Sequence, residues 1–178
     1  FSGTTFGQVA SFIETRFAST KFAHARFAAD AYFERTDFGS ATNFRDAFFE
    51  DDAHFKNARW RDAADFGGAR FIQRTRFWQA RFDGPANFDD ARSRGEISFN
   101  QAEFAGPVSY RRITFVHPVG FQRAVFHRTT TFTDSRFKKA VDFSGARFHA
   151  DLDLKAYFKS ALDLRHTRGP VLDLLPPA

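Results

Sequence analysis

The chain has 178 residues and a mass of 20.3 kDa, with 43% hydrophobic and 26% charged residues, a net charge of +5 and a pI near 9.9. That length suits one compact domain or one elongated repeat, and that composition excludes a disordered chain; no stretch reaches the roughly 18 to 20 apolar residues of a membrane span. The absence of Cys excludes a disulfide framework, a thiolate zinc site and a cysteine nucleophile, whereas 27 Phe beside no Met is a deviation that points to architecture rather than chemistry.

The architecture is a repeat. From the first residue, Phe1, Phe6, Phe12, Phe17, Phe22, Phe27, Phe33 and Phe38 recur at spacings of five or six. Farther on, steps of eleven from Phe44 reach Phe55, Phe66, Phe77, Phe88, Phe99, Tyr110, Phe121, Phe132, Phe143 and Leu154. Steps of eleven from Phe38 reach Phe49, Trp60, Phe71, Phe82, Ser93, Phe104, Phe115, Phe126, Phe137 and Phe148. Twenty of these 22 positions are aromatic, too many for coincidence, so self-similarity decides the fold.

Two residues before each large one lies a small slot, as at Ala47, Ala53, Ala58, Ala64, Ala69, Ala80 and Ala91, which later admits Ile97, Val108, Ile113, Val119 and Val141. In extended backbone, residues i and i−2 share a side and i−1 points away, so each unit reads as a short strand with two residues inward and one outward. A helix is excluded, because at about 100° per residue Ala47, Phe49, Ala53 and Phe55 scatter around the axis instead of forming a stripe. Asp46, Asp51, Asn57, Asp62, Gly68, Gly84, Asp90, Gly106 and Gly145, each two residues past a large one, read as corners. Pro85, Pro107 and Pro118 occupy the extra residue of a six-residue spacing, where no ladder N–H is needed.

Units such as Ala69-Arg-Phe, Ala80-Arg-Phe and Ala146-Arg-Phe resemble the Phe-centred units of the pentapeptide-repeat proteins, over nearly the whole chain from about Phe6 to Leu174. The resemblance implies an all-β fold, a right-handed quadrilateral β-helix. Here the alternating sixth residue predicts about 8 coils of about 22 residues. One face should stack Phe6, Phe27, Phe49, Phe71, Ser93, Phe115 and Phe137, and the second Phe12 through Phe77 to Phe143. The third should stack Phe17 through Trp60 to Phe148, and the fourth Phe22 through Tyr110 to Leu154. Ser93, lacking a ring, is expected to leave a gap or admit water.

From Ala150 onward Leu replaces Phe at a spacing of ten, in Leu152-Asp-Leu154, Leu162-Asp-Leu164 and Leu172-Asp-Leu174, followed by Leu175-Pro-Pro-Ala. Residues 1–149 are thus the Phe-centred coils and 150–178 the Leu-rich end of one solenoid. Leu162, Leu164, Leu172, Leu174 and Leu175 form either a cap over the end of the core or a homodimer surface, since family dimers commonly pair through this end. Phe1 is already in register, with no initiator Met and no signal-peptide pattern before it, so the chain is expected to be part of something longer, soluble and cytoplasmic.

No catalytic motif is present, so no enzymatic activity and no cofactor are expected. His127 and His149 share an outward slot one coil apart, and Asp153 and Asp173 another, but neither pair is assigned a metal or acid-base role. The stronger signal is the outward residue between small and large. It is Arg26, Phe48, Arg70, Arg92 and Arg136 on the first face, and Arg16, Asp37, Arg59, Arg81, Glu103, Arg147 and Arg168 on the third. The second and fourth faces carry Tyr32, His54, Arg76, Asp142 and Asp163, and Lys21, Asn43, Asp65, Asn87 and Asp153. Arg70 with Arg92, and Arg59 with Arg81, should be rung neighbours, unfavourable unless solvated or bridged by an anion, which makes these four the candidate binding residues.

Three functions compete. The first is a non-enzymatic protein-interaction scaffold with a partner of unknown identity. The second is implied by the resemblance: some pentapeptide-repeat proteins imitate duplex DNA and bind DNA gyrase, protecting it from quinolones or toxins, but that mimicry uses an acidic rod. The third, binding of nucleic acid or another anionic ligand through arginine ladders, has the right sign but lacks a dense basic patch or a stacking platform. The scaffold is the preferred reading, and nucleic acid the less favoured partner.

Overall fold

A computed structural model describes residues 1–169, and in it every regular element is a two-residue strand; there are 29, and no helix. The strands pair in parallel into four sheets, one per face of a solenoid. The first face has eight strands, from Thr5–Phe6 to Tyr157–Phe158, and the second eight, from Ala10–Ser11 to Leu162–Asp163. The third has seven, from Arg16–Phe17 to Arg147–Phe148, and the fourth six, from Thr42–Asn43 to Leu152–Asp153. The chain therefore makes somewhat more than seven turns of about 22 residues.

The ladders follow the expected register. Phe49 pairs with Phe71, Phe71 with Ser93, Ser93 with Phe115, and Trp60 with Phe38 and Phe82. Within a ladder, rings lie nearly parallel, as for Phe55 and Phe77 (4.7 Å, 3°) or Trp60 and Phe82 (4.4 Å, 2°). Rings of the second and fourth faces meet edge to face across the axis, as for Phe55 and Phe66 (5.7 Å, 87°). Each aromatic contact adds about 0.5 to 1.5 kcal/mol beyond the area it buries. Phe1 joins the fourth ladder by stacking on Phe22 (5.1 Å, 10°).

The corners are of two kinds. After the second and fourth faces the chain makes a turn whose third residue has φ near +60°, as at Asp46, Asn57, Gly68, Asp90 and Gly145, but also at Arg35, Gln79, Arg112 and Arg123. The large residue's carbonyl accepts from the N–H three residues on, as in Ala47 N to Phe44 O (3.0 Å), the bonding of a type II turn. These corners set the five-residue spacing. Asp51, Asp62, Gly84 and Gly106 belong instead to the six-residue corners and lack positive φ. Gly84 is needed there because a Cβ would lie 2.6 Å from the Asp62 carbonyl carbon in the coil below.

At the C-terminal end Leu152 and Leu154 are buried, and Leu162 and Leu164 pack half-buried against the core. Leu162 is the register partner of Val141, so this segment continues the solenoid. Leu172, Leu174, Leu175 and Asp173 lie outside the described residues. Among the described residues, no helix is long and apolar enough to cross a membrane.

Candidate functional site: the cationic first face

With the rings inside, the outer surface is a grid set by the coil. On each face the residues before and after the inward large one project outward, about 6 to 7 Å apart along the chain, and repeat at about 4.8 Å up the rod.

Where the outward residue of the second or fourth face is Asp or Asn, it does a structural job. The N–H following the large residue enters the turn, and the outward side chain accepts it: Asp65 Oδ1 from Gly67 N (2.9 Å), Asn87 Oδ1 from Asp89 N (2.9 Å), Asp142 Oδ1 from Ser144 N (2.7 Å), Asp153 Oδ1 from Lys155 N (2.9 Å) and Asp163 Oδ1 from Arg165 N (2.9 Å). These are Asx turns, which explains Asp and Asn where the other faces have Arg. The acidic residues of these two faces are therefore turn locks as well as outward charges.

The four candidate arginines separate into two pairs. On the third face Arg59 and Arg81 are register partners, yet Asp83 accepts from both, at 2.7 Å from Arg59 Nε and 2.6 Å from Arg81 Nε, and Arg81 also reaches Glu103 (2.8 Å). Burial alone would raise the Asp83 carboxyl, but the two guanidinium hydrogen bonds outweigh it and hold the group below the usual carboxylate range. One coil lower, Asp37 accepts from Arg61 through both oxygens at 2.7 Å. In the middle of the third face Arg59 and Arg81 are thus held in an ion-pair network within the chain.

Arg70 and Arg92 are also register partners, and there no acid intervenes. Arg94 joins them, and all three are exposed and make no ion pair among the described residues. Together with Phe48 and Ile72 they line a small cavity of about 110 Å³. In the two outward columns of this face, among the residues from Arg26 to Lys159, the one acid is Glu50, held by Arg26 through a two-bonded pair (2.6 and 3.1 Å). Farther up, Arg136, Lys138, Lys139 and Lys159 are exposed on or beside this face, with no ion pair among the described residues. Apolar side chains interleave with the cations, at Phe48, Ile72 and Val116, all half-buried, and at Tyr157, 58% exposed.

Other features are less committed. Near the C-terminal end, Arg123, Arg147, His166 and Arg168 border a shallow depression of about 520 Å³. Along the turns after the second face runs an amide-lined groove of similar volume, where exposed Trp78 donates from Nε1 to Ser98 Oγ (2.6 Å) and Gln79 to Gln101 (3.1 Å). His127 and His149 stack at 5.0 Å, and His127 Nε2 lies 3.2 Å from Glu103. Among the described residues, no three His, Asp or Glu side chains gather as metal ligands would.

The family profile described as pentapeptide repeats (9 copies) matches residues 1–47, 35–81, 47–92, 77–124 and 112–156. The chain belongs to the pentapeptide-repeat family. No curated protein matches it significantly. Membership accounts for the inward ladders and the corners; the outward grid, on which this pentapeptide-repeat chain differs face by face, carries whatever is particular to it.

Sequence reasoning missed Asp83 because it read only the residue before each large one. Reading the residue after it as a second column shows Arg61 and Asp83 on the third face, and Glu50, Ile72, Arg94, Val116 and Lys138 on the first.

Proposed function

We propose that this chain is a non-enzymatic protein-interaction scaffold that docks an acidic protein surface along its first face. The observation that supports it is the contrast between Arg59 and Arg81, neutralised by Asp83 and Glu103, and Arg70, Arg92 and Arg94, left without a carboxylate. Adjacent like charges are unfavourable, and a partner's carboxylates relieve them. Phe48, Ile72, Val116 and Tyr157 between the cations favour a partner that offers apolar side chains as well as acids, which the phosphate backbone of duplex DNA does not.

Gyrase binding by DNA mimicry uses an acidic rod, whereas this chain has a net charge of +5. Three assays discriminate these readings: titration with polyglutamate at low and moderate salt, a gel-shift with duplex DNA, and a gyrase supercoiling assay with and without a quinolone. A docking face on the first side binds polyglutamate, loses it as salt rises and on Arg92→Glu or Lys138→Glu, and leaves gyrase unaffected. Protection of gyrase at stoichiometric protein supports the mimic instead. Tight DNA binding abolished by Arg70→Glu supports a nucleic-acid binder.

A further inference from the structure

The cavity bordered by Arg70, Arg92 and Arg94 has a more specific chemistry than a cationic strip. Its three guanidiniums come from three grid positions: Arg70 and Arg92 on consecutive rungs of one column, and Arg94 beside Arg92 across the inward Ser93. A planar carboxylate offers two oxygens and one charge. A phosphate monoester offers three acceptor oxygens in a tetrahedral array and close to two charges, so that each guanidinium can take an oxygen of its own. The volume of about 110 Å³ has room for one such group. Phe48 and Ile72 form the apolar side of the same cavity, against which the stem of a phosphorylated side chain can lie.

We propose that this cavity is a phosphate-monoester site that receives a phosphorylated side chain of the acidic partner, an inference resting on the docking face described above. Isolated Arg136 and Lys138 bind acids through charge alone, whereas the Arg70–Arg92–Arg94 cavity fixes the register of the partner along the rod. On the third face the equivalent arginines are matched by Asp83 in the following column and by Glu103 on the next rung, whereas the first face has Arg94 in the slot equivalent to Asp83.

The test is calorimetric titration with three short peptides of Glu, Gly and Leu, identical except for a central serine, glutamate or phosphoserine, together with inorganic phosphate observed by phosphorus NMR line width. The phosphoserine peptide is expected to bind at least tenfold more tightly than either other peptide, with the difference abolished by Arg70→Gln, Arg92→Gln or Arg94→Gln and retained in Arg147→Gln. Inorganic phosphate should broaden with the native protein and not with Arg92→Gln. Equal binding of the three peptides overturns the phosphate site while leaving the docking face standing. No binding by any peptide overturns both. Duplex DNA bound as tightly as the phosphopeptide also overturns the monoester site, because diesters then suffice.

Discussion

Ser93 is the register partner of Phe71 below and Phe115 above, the one inward position of the first-face ladder without a ring. It is buried, and its hydroxyl donates to the Gly95 carbonyl (2.8 Å). Above it, Ile113 occupies a small slot whose neighbours along the column are Ala91 and Ser135. Ile113 thus carries more aliphatic bulk than either column neighbour, on the rung above the missing ring. Ser93→Phe alone should therefore destabilise by about 1 to 3 kcal/mol through overpacking, and Ser93→Phe with Ile113→Ala should recover most of that loss. Urea midpoints of the two variants check this; a stabilised single variant would show that the site is underpacked.

Tyr110 replaces Phe in the fourth ladder, stacked between Phe88 (5.0 Å) and Phe132 (4.7 Å), and its hydroxyl is buried without a hydrogen-bond partner. Burial pushes its pKa well above the ordinary phenol value. Tyr110→Phe should stabilise the rod by about 1 to 3 kcal/mol, the cost of an unpaired buried polar group. Chemical denaturation measures it, and a loss of stability would mean that the hydroxyl is satisfied.

The turn locks predict that geometry matters more than charge on the fourth face. Asp65→Asn keeps the acceptor for the Gly67 N–H and should change stability little, whereas Asp65→Ala removes it and should cost about 1 kcal/mol. Equal losses in both variants would assign Asp65 to its charge instead.

The inward positions were legible because an eleven-residue period in Phe has one physical solution, rings in register inside a four-sided coil. The corners were only half legible: Asp, Asn and Gly announce turns, but Arg35, Gln79 and Arg112 adopt positive φ without any residue preference to announce it. Asp142 and Asp163 could be placed outward but not assigned, because acceptance of an N–H two residues on depends on which corner follows. The pairing of Arg59 and Arg81 through Asp83 required reading two outward columns at once.

Several carboxylates tie stability to pH. The hydrogen bond from Arg61 holds Asp37 below the usual range, and that from Arg112 does the same for Asp90. At Asp153, burial pushes up but is outweighed by the Lys155 N–H and the Thr133 hydroxyl. Folded values below unfolded ones mean that this stability is complete above about pH 4 and is lost as pH falls through the lower folded values. Melting temperature should be nearly flat from pH 7 to 5 and fall below about 4; a drop already between pH 7 and 5 would place the titration elsewhere.

If the first-face arginines are kept for a ligand and the third-face ones hold the rod, removing each should have opposite effects. Arg92→Ser should raise the melting temperature by about 1 to 3 °C at low ionic strength by relieving repulsion from Arg70 and Arg94, and the gain should vanish as salt screens it. Arg81→Ser should lower it by a similar amount, because Asp83 loses one of its two guanidinium partners and Glu103 its arginine. Thermal unfolding of these two variants beside the native chain, at low and high salt, is the direct measurement. Opposite shifts that converge in salt are the predicted result, and equal losses in both variants would contradict a first face built around uncompensated charge.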